Sequence, residues 1–135
     1  MLPRLDGFLA GIRLFARRRH ARPIAFDEPT LADALAHATQ LAAGNERDEP
    51  AALFFACALR SRAFGAASHD LLPIVARNVA RGLGFRLDVN DVELAILHAR
   101  IQLGVIAFAD LRTTFAAALQ PVGQNDERPP PKRPG

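Results

Sequence analysis

Tryptophan and tyrosine are absent, and cysteine occurs once. A single cysteine closes no intramolecular disulfide and builds no thiolate metal cluster, so the fold has to stand on its core. Cys57 sits in an apolar run, which makes it a small core hydrophobe. Lysine is also scarce: Lys132 is the only one, and every other basic side chain is arginine. No apolar run reaches transmembrane length. Asp6, Gly7, Gly11 and Arg13 interrupt the N-terminus before a secretory apolar core can form, so a cytoplasmic location is expected. The histidines, His20, His37, His69 and His98, are scattered, with no two at i, i+3 or i+4. No metal pair, Ser-His-Asp constellation, phosphate-cradling glycine loop or nucleic-acid signature can be built from what remains.

What is present is alanine and leucine in abundance, few β-branched residues, and a chain that is half hydrophobic. At 135 residues it is long enough for one domain with a real core and too short for two. The balance predicts an all-α fold, a single-domain bundle of about six helices with a disordered C-terminal tail. Charge is uneven. Residues 1–22 carry six arginines against Asp6, a net of +5, which leaves −2 for the rest of a chain whose total is +3. A body of that charge does not match a nucleic-acid-binding domain, and no nucleic-acid partner is expected.

In chain order, Leu5, Phe8, Leu9, Ile12 and Phe15 or Ala16 mark one helical face over residues 1–22, with Arg13, Arg17, Arg18 and Arg19 gathered where the helix dipole favours cations. This basic amphipathic segment suits docking on the body; a membrane-surface role is the alternative. Asp27 and Pro29 open the next helix, whose buried stripe is Leu31, Ala34, Leu35, Ala38, Leu41 and Ala42, with His37 off the stripe and facing solvent. Asp48-Glu49-Pro50 repeats the start signal. Ala51–Leu59 is then apolar all round, as a helix at the centre of a bundle would be. Ser68 and Asp70 are both candidate caps for a helix carrying Leu72, Val75, Val79 and Leu83, and Pro73 in its first turn sets the start near Asp70. Arg77 and Arg81 share a face of it. Phe85-Arg86-Leu87-Asp88-Val89 alternates as an extended connection, and Asn90 or Asp91 caps a helix over Val92–Leu103. A last helix carries Phe108, Leu111, Phe115 and Leu119 on one face, closed by Pro121. Residues 23–121 thus form the helical domain, and 122–135 a proline-rich tail.

From Glu49 to Leu119 the chain resembles the Fic/Doc family, in particular its short Doc-like toxins. The stretches EPAALFFACALRS, RAFGAASHDL, GFRLDVNDVELAIL and LGVIAFADLRTTF follow the family's order of buried helix, motif loop, Gly-aromatic-x-Leu and final turn. The resemblance implies that the loop His-x-Phe-x-Asp/Glu-Gly-Asn-x-Arg falls on Arg62 to Asp70. Arg62 then stands for the histidine, Phe64 for the phenylalanine, Ala66 for the acid, Ala67 for the glycine, Ser68 for the asparagine and Asp70 for the arginine. Only Phe64 is kept. In the family the histidine is the general base, the acid holds Mg²⁺, and the Gly-Asn backbone with the arginine cradles nucleotide phosphates. Arginine cannot accept a proton, alanine offers no oxygen to a metal, and an aspartate repels a phosphate. A rival register on His69 and Arg77 keeps the His-to-Arg spacing but puts Pro73-Ile74-Val75 where Asp-Gly-Asn belongs.

The expectation is therefore a catalytically degenerate Fic/Doc-like protein that acts by binding, in a toxin–antitoxin-type or regulatory role, with a protein partner. Arg60, Arg62, Phe64 and Ser68 are the ligand-binding candidates, through an anion held by the two arginines and the backbone of 65–68. Alternatively the arginines are solvated partners of a helix C-terminus. No catalytic residue, metal or cofactor is assigned, and ATP with Mg²⁺ enters only if the family activity is retained. In that second case the chain is an active toxin moving a phosphate or nucleotidyl group to a protein hydroxyl, with His69 the remaining candidate base. The third reading is a helical interaction or assembly protein unrelated to the family.

Overall fold

The architecture is set by one helix with no polar face. In the computed structural model, which describes residues 27–60 and 68–122 apart from the side chains of Glu28 and of residues 68–70, that helix spans Glu49–Leu59. Four other α-helices share the fold with it, and we number all five in chain order: α1 Glu28–Ala42, α2 Glu49–Leu59, α3 Ser68–Gly82, α4 Asp91–Gln102 and α5 Phe108–Ala118. A 3-10 turn, Glu46–Asp48, joins α1 to α2. Two short strands, β1 Phe85–Leu87 and β2 Leu119–Pro121, complete it. The described residues are mostly helical, as composition predicted. The helix expected in residues 1–22 and the tail of residues 123–135 lie outside the described residues.

α2 earns its central place by chemistry. Leu53, Phe54, Ala56, Cys57 and Ala58 are fully buried, and α1, α3, α4 and α5 all pack on it. Its many alanines let neighbouring helices approach closely, while Phe54 fills the space between α4 and α5 by meeting the edge of His98 and the tilted ring of Phe115. α1 contributes its predicted stripe, with Leu31, Ala34, Leu35, Ala38 and Ala42 buried and Leu41 partly so. It ends where Ala43 turns left-handed (φ 51, ψ 40) and Gly44 follows at φ 83.

Two boundaries differ from expectation. α3 begins at Ser68, so Pro73 lies inside the helix rather than in its first turn. A proline there has no N–H to give to the preceding turn, and the buried ring contributes to the core instead. The second difference is β2. The last helix stops at Ala118, and Leu119, expected on its face, is extended and buried as the first residue of a strand. β2 pairs antiparallel with β1, Phe85 opposite Pro121, Arg86 opposite Gln120 and Leu87 opposite Leu119. The pairing ties the end of the chain's helical part to the α3–α4 connection. Between Asn90 and Asp91 as caps of α4, the structure selects Asn90, whose Oδ1 accepts from the Glu93 N–H at 2.8 Å.

Candidate functional site

α2 delivers its C-cap residue, Arg60, to the side of α1. There Arg60 Nη1 lies 2.9 Å from His37 Nδ1 and donates to the Ala56 carbonyl at 3.1 Å. A guanidinium only donates, so His37 Nδ1 is the acceptor, and the imidazole is neutral with its proton on Nε2. Burial lowers the His37 pKa below its ordinary value, and the adjacent Arg60 charge lowers it further. The expected solvent-facing histidine is therefore half-buried and partnered. It lies off the apolar stripe of α1, but α2 reaches it from a position 23 residues away in sequence.

Of the residues assigned to ligand binding, only the side chain of Arg60 is described. Its Nη1 is engaged by His37 and by a carbonyl of its own helix, the arrangement of a cation at a helix C-terminus. Arg62 and Phe64 lie outside the described residues. Ser68 and His69 open α3, and their side chains lie outside the described residues too. Close by, Cys57 is fully buried, and burial pushes its thiol up to about 12 against a smaller opposite pull from Arg60. Such a thiol is inert as a nucleophile. Among the described residues no group of three His, Cys, Asp or Glu side chains is placed to hold a metal ion. No described helix is long and apolar enough to cross a membrane.

A second feature lies along α3. A cleft of about 520 Å³ opens between α3 and the extended run from β1 to the cap of α4, lined by Ile74, Arg77, Asn78 and Arg81 on one side and residues 85–90 on the other. Arg77 spans it at one end, with Nη1 2.7 Å from Asp91 and Nη2 donating to the Val89 carbonyl at 2.8 Å. Arg81 and Arg86 are exposed, and neither meets a carboxylate among the described residues. The Phe85 ring is half-buried, with the Arg47 guanidinium 5.1 Å from its centroid. Sequence reasoning missed this cleft although both halves were visible: the shared face of Arg77 and Arg81, and the alternation after Gly84. Nothing local shows that the two come together.

No protein-family model, no characterised protein and no solved structure matches the chain.

Proposed function

We propose that the chain is a Fic/Doc-like protein that has lost group-transfer chemistry and acts by binding a protein partner. The observation that carries this is the motif register. A central apolar helix, α2, runs into the stretch where Arg62, Ala66, Ala67 and Asp70 stand in place of the base, the metal ligand, the glycine and the phosphate clamp. The Gly84-Phe85-Arg86-Leu87 landmark follows α3, and two further helices follow that, in the family's order. The residues present do not fit a Mg²⁺-nucleotide: alanine has no oxygen for the metal, and Arg60, two residues ahead of Arg62 in sequence, already gives Nη1 to His37 and Ala56. A toxin–antitoxin-type or regulatory role follows for a domain that keeps the scaffold without the chemistry.

Isothermal titration with ATP and GTP, each with and without Mg²⁺, tests both halves. The wild-type chain gives no heat. A variant carrying Arg62→His, Ala66→Asp, Ala67→Gly, Ser68→Asn and Asp70→Arg, shown folded by far-UV circular dichroism, gives heat that depends on Mg²⁺. Heat from the wild type refutes the loss of the nucleotide site. A folded variant that stays silent refutes the register.

A further inference from the structure

α4 carries apolar side chains on two opposite faces. Leu94, Leu97, His98 and Ile101 are buried, and α4 packs on α2 and α3. At about 100° per residue those four sit on one side of the helix. Val92, Ala95, Ile96, Ala99 and the C-cap Leu103 sit on the other, within about 100° of one another, and all five are exposed. Val92 is 71%, Ile96 47% and Leu103 76% exposed, so the large side chains of this stripe contribute little to the core. A helix that covers a core from one side needs only that side apolar. Scattered exposed apolar side chains are ordinary, but a continuous stripe about three turns long marks a contact surface.

The charges beside the stripe say what covers it. Glu93 and Arg100 are seven residues apart and so lie on the same flank of α4, one towards each end, and neither side chain meets an opposite charge among the described residues. A second α4, antiparallel and related by a two-fold axis beside Ile96, keeps each flank against its own counterpart and reverses the order of residues along it. Glu93 of each copy then faces Arg100 of the other, Asp91 faces Gln102 on the opposite flank, and the two Ile96 side chains meet at the axis. Ala95 and Ala99 let the two backbones come close, and the helix dipoles oppose. A parallel copy would set Glu93 against Glu93 and Arg100 against Arg100, which repels. Residues 1–22, with six arginines and a single acid, Asp6, offer no such matched set. We infer that the outer face of α4 is the contact between two copies of this chain in an antiparallel, two-fold symmetric dimer. The helix has 12 residues and is about 18 Å long. A pair of that length is small beside a standard interface of about 1,600 Å², so the dimer is weak and forms reversibly with concentration. This inference stands on α4 and does not rest on the Fic/Doc reading.

Sedimentation velocity of the full chain from micromolar to millimolar concentration tests it. The wild type passes from monomer to dimer as concentration rises. Ile96 is half-exposed, so Ile96→Glu keeps the fold, as far-UV circular dichroism checks, and stays monomeric. Glu93→Arg and Arg100→Glu each place like charges at both ends of the helix pair, and each raises the dimer Kd at least about tenfold. The double exchange Glu93→Arg with Arg100→Glu restores the two ion pairs and returns Kd to within about threefold of wild type, as antiparallel pairing requires. If Ile96→Glu does not fold, the exposed charge variants decide: loss with each single reversal and recovery with the double exchange supports the dimer. A wild type that stays monomeric at every concentration, its stripe left to residues 1–22 or to another protein, overturns it. A dimer indifferent to a folded Ile96→Glu or to the single reversals, or one that the double exchange fails to restore, also overturns it.

Discussion

Replacing Phe54 by alanine probes the centre of the fold most directly. Its side chain is fully buried, and its ring meets His98 at 6.4 Å, edge-on, and Phe115 at 5.5 Å, tilted by 56°. Phe-to-Ala truncation in a core costs about 3–5 kcal/mol, transfer and cavity together. Ring pairs of this geometry contribute about 0.5–1.5 kcal/mol beyond buried area, so the loss belongs at the upper end of that range, about 4–5 kcal/mol. A chain of this size is stable by roughly 5–15 kcal/mol, so the variant folds marginally or not at all. Leu59, on the same helix but 47% exposed, is the control, and its truncation costs about 1 kcal/mol or less. With tryptophan and tyrosine absent, urea unfolding is followed by far-UV circular dichroism rather than by intrinsic fluorescence. A Phe54→Ala loss below about 2 kcal/mol, or one equal to that of Leu59→Ala, refutes α2 as the buried centre.

Three further outcomes follow from single side chains. Cys57, buried and held at a pKa of about 12, resists thiol reagents in the native protein and reacts only on unfolding; rapid labelling in native buffer contradicts its placement. His37 is favoured in its neutral form when folded, so its contribution to stability is present above its ordinary pKa of 6.5 and is lost as pH falls through the lowered folded value. Urea midpoints measured on either side of that window fall more steeply with acid for the wild type than for His37→Gln; parallel slopes contradict the Arg60 contact. Ala43 ends α1 in the left-handed region at φ 51, where glycine carries no steric penalty, so Ala43→Gly stabilises by up to about 1 kcal/mol in thermal unfolding, and a clear loss contradicts that geometry.

Helix positions were legible wherever the signal is local. Asp27 with Pro29, Asp48 with Pro50, Asn90 with Glu93 and glycines 44 and 104 all lie within one turn of a helix end, and the elements form where these residues say, although Asn90 alone of the three capping positions accepts a side-chain cap hydrogen bond. The burial of α2 was legible for a similar reason, since a segment with no polar face can only be surrounded. What was not legible is what the elements do to one another. His37 reads as exposed on its own helix because the residue that partners it comes from another helix. Leu119 fits the helical period of α5 and yet becomes extended, because β1 offers a strand to pair with. Pro73 reads as a first-turn residue, and the helix nevertheless begins two residues before Asp70, at Ser68. The cleft is of the same kind: one wall lies on a helix and the other on the extended run after it, and only their packing makes one surface of them.

The central claim is that the scaffold binds without transferring a group. Its most direct test is incubation of the chain with lysate and nucleotide radiolabelled on the α or the γ phosphate, followed by autoradiography of the separated proteins, with His69→Ala in parallel. No protein acquires label from the wild type or the variant if the base, metal and phosphate positions are lost. Labelling by the wild type that disappears in His69→Ala would contradict the claim and make the chain an active transferase.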